Sequence, residues 1–489
     1  MSRIRTRRLI LTLVTFTALP ALQLLGPLAL SQEPPPVALA PTSALASASA
    51  PDSLPATLTL ESALRYALAH NYAILEAQER IREQDGIILQ VKSDLLPHAA
   101  IAAQYIVQDK ALGANLASPD TTQNMQDWSI GITITQLIYA GGGPSAAIAA
   151  QKNLREAALL DLETVINAAL LDVRTRYYNI LLAREQIKVQ EENLKLLEEQ
   201  RTLAKNRHDA GAASSFDVLR AQVAVANAQP NLIRARNDYR NALDLFRRSL
   251  GSIPQRAPTD DHMPEITGTL DITPATYDLT SSITAALENR PELKRLARLA
   301  TAGESAVTAA RSGYKPTVAV FGSYTFERNM TYGYDPYSPD PITSINLNNF
   351  GHQINGWNLG VQASWAIFDA RSTAGKVAQA RSKLDQTRLQ TSDAELAIES
   401  EVRESYNALQ EATELVDAAQ KVTTQAEEAL RLANSRYAAG TATQLDVLTT
   451  QVALTESRLN QVQANYSYLV ALATLRKATG QADQIMVGK

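Results

Sequence analysis

A chain of 489 residues with a formal net charge of −4, 20% charged residues and no cysteine leaves out several classes of protein at once. Its acidic balance argues against a general nucleic-acid binder, and the missing thiols exclude a disulfide framework, a thiolate metal site and a lipid-accepting cysteine. The length fits two or three ordinary domains or one elongated one.

The chain opens with Arg3, Arg5, Arg7 and Arg8, followed by a mostly apolar run to Leu30. Ala29 and Ser31 supply small residues at the −3 and −1 positions, so residues 1–31 are expected to be a signal peptide cut before Gln32. Pro20, Gln23 and Pro27 interrupt the run, which favours cleavage over a membrane anchor. Residues 32–57 are rich in Pro, Ala and Ser and read as a flexible leader.

From residue 58 a helical pattern rich in Ala, Leu, Glu and Arg runs to about 95. It stops at Pro97, which cannot continue a helix and biases the residue before it towards extended backbone. In the strand that follows, Ile101, Tyr105 and Val107 share a face. After a polar loop at 109–127, "WSIGITITQLIY" (128–139) alternates Trp128, Ile130, Ile132 and Ile134 with Ser129, Gly131, Thr133 and Thr135. A helical pattern then runs unbroken from about 145 to 209, a rod of roughly 100 Å at 1.5 Å per residue. "RHDAGAASSFDVLRAQ" (207–222) reads as its tip. Gly211 ends the rod as a left-handed cap would. Ser214 caps the next helix and Asp217 favours its positive end. The return helix reaches Gly251, and a Pro-rich connector spans 252–276.

The rest is a second copy. "RYAAGTATQLDVLTTQ" (436–451) lies 229 residues after the first tip, with Gly440, Thr443 and Asp446 in place of Gly211, Ser214 and Asp217. At that offset the match runs from Trp128/Trp357 to Gly251/Gly480; upstream the offset is 219, pairing Pro97 with Pro316 and Tyr105 with Tyr324. The extra residues fall in the loop 329–356, where insertions are tolerated. The protein is therefore two tandem repeats, 58–251 and 277–480, with a short tail at 481–489. The second repeat carries a helix at 279–314, a strand with Val318, Val320, Tyr324 and Phe326 on one face, and the strand "WNLGVQASWAIF" (357–368). In the latter Trp357, Leu359, Val361, Ala363, Trp365 and Ile367 share a side. A second rod spans about 371–438.

Strands of this length with aromatic ends match tilted outer-membrane strands, although a half-buried soluble sheet alternates in the same way. No other segment supplies a sandwich partner. Four strands cannot close a barrel, since the smallest single-chain barrels have about eight, and an open edge in lipid leaves backbone groups unpaired. Membrane-spanning strands would therefore require several chains in one barrel. Along the first rod, Ile180, Ile187 and Leu194 form one line and Leu182, Val189, Leu196 and Leu203 another, on nearly opposite sides. Two seams suit a helix with a neighbour on each flank.

The doubled order of helix, proline, strand, loop, strand, rod, tip and helix resembles the TolC family, the outer-membrane factors of tripartite efflux pumps and type I secretion systems. So do "LIYAGGG" and "AIFDARS" at the strand-to-rod junctions and the two G-x5-DVL-x2-Q tips. The resemblance covers nearly all of the expected mature chain. It implies a membrane α+β fold, in which a homotrimer builds a twelve-stranded outer-membrane β-barrel continued by a long periplasmic α-helical barrel. The implied partners are a periplasmic adaptor, an inner-membrane transporter and outer-membrane lipid, with no nucleic acid and no cofactor. Lipid would meet Trp128, Ile130, Ile132, Ile134, Val318, Val320, Trp357, Leu359, Val361 and Trp365. The adaptor would dock on the tips at Arg207, Gly211, Asp217, Val218, Leu219, Arg436, Gly440, Asp446, Val447 and Leu448. Tyr437 and Asp217 would join tip helices in a closed state, and Asp446 stands where family members place an acidic pore ring. Helix capping is the alternative role for both aspartates. Ala442 and Thr449 depart from the pattern, standing where some members carry an arginine gate contact and a second aspartate.

An enzyme is not expected. His70, His98, His208, His262 and His352 are scattered, with no HExxH pair and no phosphate-binding GxxxxGK[ST] loop. The rival to a channel is a soluble periplasmic coiled-coil adaptor, which accounts for export and rods but not for four amphipathic strands in matching slots.

Overall fold

The computed structural model describes residues 57–108, 125–251, 264–331 and 352–481. The expected signal peptide, the leader up to residue 56, most of both polar loops, residues 252–263 of the connector and the tail from 482 lie outside the described residues. The first repeat contains β1 (Thr57–Leu58), α1 (Leu60–His70), α2 (Tyr72–Ser93), β2 (His98–Gln108), β3 (Met125–Ala140), α3 (Gly143–Asp209) and α4 (Ser215–Leu250). The second contains, in the same order, β4 (Glu265–Ile266), α5 (Leu279–Asn289), α6 (Pro291–Arg311), β5 (Thr317–Thr331), β6 (His352–Ser364), α7 (Ser372–Ala438) and α8 (Gln444–Ala478).

The single leading helix expected in each repeat is broken in two. Asn71 takes extended backbone and its side chain accepts hydrogen bonds from the amides of Ala73 and Ile74, so it caps α2. Arg290 is extended in the same way and Pro291 opens α6 at its first position, where its missing N–H leaves nothing unsatisfied. Each break is held from the far end of its repeat. Gly251, at φ +75°, lies so close to the His70 carbonyl that an added Cβ would fall 2.0 Å from the oxygen, and the Asn71 side-chain Nδ2 donates to the Ser249 carbonyl at 2.7 Å. In the second repeat, charge does this work. The Arg290 side chain is 5% exposed and donates to Glu292 at 2.9 Å, it also pairs with Glu401, and Lys477 reaches Glu401 at 2.8 Å. Burial pushes the Glu292 and Glu401 carboxyls up, but the hydrogen bonds from Arg290 and Lys477 outweigh it and hold both below the ordinary glutamate value.

The main core gathers where the helix breaks meet the rods, around Leu58, Leu64, Ile74, Leu170, Val173, Tyr177, Ile180, Phe246 and Leu475. β1 and β4 pair in parallel there. Tyr177 donates its hydroxyl to the Thr267 carbonyl and Arg184 to that of Ile266 at 2.9 Å, tying the connector to α3. Tyr468 does the same for the connector's later part, donating to Thr273 at 3.0 Å and accepting from the Ala275 amide at 3.1 Å.

Both rods are continuous helices of 67 residues. α3 packs against α4, α6 and α8; Ile180 and Leu182, one from each predicted line, are buried, while Ile187, Val189, Leu194 and Leu196 are half-buried and Leu203 is exposed. The remaining strands form one antiparallel sheet in the order β2–β3–β5–β6, leaving β2 and β6 as edges among the described residues. No helix among the described residues is long and apolar enough to cross a membrane.

Candidate functional site

The register of the sheet decides which side chains share a surface. Ile132 stands opposite Ile101 on one side and Tyr324 on the other, and Tyr324 stands opposite Trp357. Trp128, Ile130 and Ile134 follow the same parity, as do Val318, Val320, Leu359 and Val361. Each of the four strands therefore turns most of its apolar residues to the same face, with Ile106, Leu137 and Phe321 on the other. A bulge between Leu137 and Tyr139 brings Tyr139 opposite Val318, which keeps the apolar face running past the irregularity. The other face carries Ser129, Thr133, Thr135, Gln104, Ser323, Thr325, Asn358 and Gln362, with a hydrogen bond from Ser323 to Asn358 at 2.8 Å. The apolar face is uncovered among the described residues: Val361 is 70% exposed. Pro97 and Pro316 precede β2 and β5 directly, as expected of helix-to-strand junctions. β6 ends at Ser364, so Trp365 lies just beyond the strand. Its indole donates to the Tyr314 carbonyl at 3.1 Å.

The two tips share one geometry. Gly211 and Gly440 both sit at φ +75° with open space around them. Ala212 and Thr441 donate backwards to the carbonyls of Arg207 and Arg436 at 2.7 and 2.9 Å, closing each rod. Ser214 with Asp217, and Thr443 with Asp446, form reciprocal capping boxes. The capping role is thus present for both aspartates. Hydrogen bonds from Thr443, with Arg436 nearby, hold the Asp446 carboxyl below its ordinary value, and the carboxylate stays exposed.

The two tips also touch within one chain. The Arg207 guanidinium lies 4.2 Å from the Tyr437 ring centre and reaches its carbonyl at 3.4 Å, while Asp217 is engaged by Ser214 at 2.7 Å. Val447 is fully buried beside Leu430, Tyr437 and Leu454, and Leu448 packs on Leu197 and Val225. Both brace the tips from inside, leaving Gly211, Leu219, Arg436, Gly440 and Asp446 as the exposed members of the expected docking set, with Arg207, Asp217 and Val218 half-buried. Phe216 and Leu445 were not singled out from the sequence. They occupy the same slot in each tip, two residues after the capping hydroxyl, and are 60% and 53% exposed. Their shared spacing from Ser214 and Thr443 is the signal that points to them.

The comparisons with known proteins agree with this geometry. The family profile described as "Outer membrane efflux protein" matches residues 63–252 and 282–481, one match per repeat. The chain is 23% identical over 432 residues to the outer membrane efflux protein BepC of Brucella suis, covering 87% of each. It is 22% identical over 401 residues to the outer membrane protein TolC of Escherichia coli, covering 81% of this chain and 77% of the relative. Among solved structures, the CmeC outer membrane channel of Campylobacter jejuni superposes with a TM-score of 0.71 at 18% identity, covering 88% of each chain. The open state of the Neisseria gonorrhoeae MtrE channel gives 0.66 at 18% identity, covering 86% of this chain and 88% of that one. With both repeats matched and the same architecture found in these channels, the chain belongs to the outer membrane efflux protein family, whose members include TolC.

Proposed function

We propose that the chain is one subunit of an outer-membrane exit duct that passively conducts cargo delivered by an inner-membrane transporter through a periplasmic adaptor. The observation that carries this is the sheet. An apolar face runs in register across all four strands, and two edges are left without partners among the described residues. An apolar face suits lipid, but open edges do not, so three copies pooling four strands each would satisfy both conditions. The rods and return helices then enclose a periplasmic tunnel whose tips form the gate and the adaptor-docking surface. The exposed Phe216 and Leu445 suit that docking, and Asp446 repeated around the axis forms an acidic ring at the mouth. The chain is exported with its signal peptide removed, is not lipidated, and does no chemistry of its own; the energy comes from the transporter. Relatives bearing names such as pyoverdine export outer membrane protein and alkaline protease secretion protein point to small-molecule and protein cargo as the two classes to test.

Outer membranes washed with carbonate should retain the protein, and an amine-reactive cross-linker should join it into trimers. Release into the soluble fraction would instead place it among the soluble coiled-coil proteins.

A further inference from the structure

The two strand-to-rod junctions share a backbone but not a charge. Between β3 and α3 the chain turns on Gly141 and Gly142, at φ 62° and 83°; between β6 and α7 it turns on Ala370 and Arg371, at 49° and 69°. A left-handed backbone is unfavourable for a residue with a Cβ, and the first repeat makes the same turn without one. Arg371 is therefore held against its own preference, which points to a use for its side chain. The asymmetry continues around it. At the repeat offsets, Arg311, Lys315, Arg371, Lys376 and Arg381 stand where the first repeat has Lys92, Leu96, Gly142, Ala147 and Lys152. Five cations at the second junction thus face two at the first.

These charges collect at a cleft of about 480 Å³ between the end of α6, with the turn Ser312–Tyr314 after it, and the first turns of α7. Arg311, Tyr314, Lys315, Ala374, Val377 and Arg381 line it, and Arg371 heads the stripe of α7 to which Ala374 and Arg381 belong. Among the described residues, none of Arg311, Lys315, Arg371 and Arg381 has a carboxylate within ion-pairing distance; the Lys315 ammonium donates to the Gly141 carbonyl at 3.1 Å. Farther along α7 the arginines are paired, Arg388 with Glu304 at 3.2 Å and Arg403 with Glu399 at 2.6 Å. Two acidic groups stand near the cleft. The Asp369 carboxylate accepts from the Thr373 amide at 2.7 Å, and Asp94 lines an adjoining cleft with Lys315. The cleft also lies where the apolar face of the sheet ends. Trp365, Ile367 and Phe368 continue past β6 and are 59%, 86% and 86% exposed, and the Trp365 indole donates to the carbonyl of Tyr314. The corresponding step in the first repeat ends on the apolar Leu95 and Leu96.

We propose that this cleft binds the headgroup of an anionic phospholipid from the periplasmic leaflet, with its phosphate held by Arg311 and Arg381 and its acyl chains against Trp365, Ile367 and Phe368. Guanidinium groups without a carboxylate are suited to a phosphate, and a basic pocket beside a membrane span is the arrangement that recognises phospholipid headgroups. A headgroup with no cation of its own is favoured, because a choline or ethanolamine group brings further positive charge to a site that already has an excess. The inference rests on the lipid-facing reading of the sheet proposed above and adds to it a lipid class and a position.

The chain has three tryptophans, so in Trp128→Phe/Trp357→Phe the indole of Trp365 alone reports on the lipid around it. This protein, full length and reconstituted in phosphatidylcholine vesicles, is titrated with phosphatidylglycerol or phosphatidylcholine carrying bromine on the acyl chains, which quenches an indole in contact. Phosphatidylglycerol should be preferred by roughly tenfold, each cation near a lipid surface being worth about fivefold. Arg311→Gln/Arg381→Gln, at exposed residues without ion pairs, should bring the preference to about one, while the repeat counterparts Lys92→Gln/Lys152→Gln should leave it unchanged. Arg371→Gly should reduce the preference and raise the midpoint of thermal unfolding, a combination that damage to the fold does not produce. The chain with all its tryptophans gives a second reading in native mass spectrometry, where phosphatidylglycerol should stay bound after detergent release and phosphatidylcholine should not. Equal quenching by the two lipids, or a preference that survives Arg311→Gln/Arg381→Gln, overturns the site and leaves the lipid-facing sheet standing. Loss of the preference on adding inorganic phosphate would assign the cleft to free phosphate and overturn the lipid. Absence of quenching by either lipid would remove the lipid-facing sheet as well.

Discussion

At the scale of single residues, the tip aspartates carry two roles that substitutions separate. Asp446 accepts from the Thr443 amide and hydroxyl at 2.7 and 2.8 Å, and its charge stands free in solvent. Because its carboxyl is held below the ordinary aspartate value, the ionised cap contributes fully above the unfolded value and is lost as pH falls through the folded one. Asp446→Asn keeps an acceptor for the Thr443 amide but removes the charge. It should lower thermal stability less than Asp446→Ala does and lower cation preference in single-channel recordings, since a ring of carboxylates at a narrow mouth concentrates negative potential. Asp446→Ala should lower both; cation selectivity unchanged in both variants would leave only the capping role. Arg207 invites a different test. Its guanidinium over the Tyr437 ring is worth about 0.5–1 kcal/mol at a partly exposed site, and it fastens the first tip to the second. Arg207→Ala should raise the fraction of time the channel spends open in bilayer recordings, while Tyr437→Phe, which keeps ring and carbonyl, should not. The capping boxes and glycines were legible in the sequence because they are local. The Arg207–Tyr437 contact was not, because it joins residues from different repeats and neither residue type specifies the other.

At the scale of elements, the two leading helices show how sequence signals compete. Their Ala- and Leu-rich composition reads as one helix each, yet Asn71 and the Arg290–Pro291 step are a good N-cap and a good first turn. The local signal won, because Gly251 and Gly480 approach at those points and need the chain to bend away. The second repeat fixes its bend with the Arg290, Glu292, Glu401 and Lys477 cluster; the first has Asn71 in the arginine's place. Replacing Arg290 by Met leaves two carboxylates facing Lys477 alone. The expected loss is about 2 kcal/mol, below the roughly 3–5 kcal/mol of a fully buried pair because Glu292 and Glu401 keep some water. It appears as a lower midpoint of thermal unfolding in detergent. The same cluster gives an acid dependence of definite sign. Both glutamates titrate below their ordinary value, so their contribution is complete above the unfolded carboxylate pKa and disappears as pH falls through the lowered folded values. Arg290→Met should flatten that acid loss, and a parallel loss in wild type and variant would show that other groups set it.

At the scale of the whole molecule, the repeat and the alternation of the strands were readable because each is a pattern in the order of residues. Which strands neighbour which, and in what register, depends on pairings between distant segments that no single stretch encodes. The register makes the lipid assignment testable residue by residue. Ile132 and Thr133 are neighbours in the middle of β3 and point to opposite faces, with Ile101 and Tyr324 flanking one and Ala100 and Ser323 the other. On a lipid face an arginine near the membrane midplane costs about 2–4 kcal/mol, whereas on a water-filled lumen it is tolerated. In a barrel of several copies the penalty is repeated in each, so a change that one chain could absorb is multiplied across the assembly. Ile132→Arg should therefore sharply reduce the cross-linked trimer recovered from outer membranes, while Thr133→Arg should assemble at close to wild-type levels and alter only conductance. A half-buried soluble sheet predicts something else, because its apolar face needs a protein cover and its polar face meets bulk water: Thr133→Arg would then be silent in every assay, including conductance. Equal tolerance of arginine at both positions would mean that neither face meets lipid, and the duct would have to be abandoned.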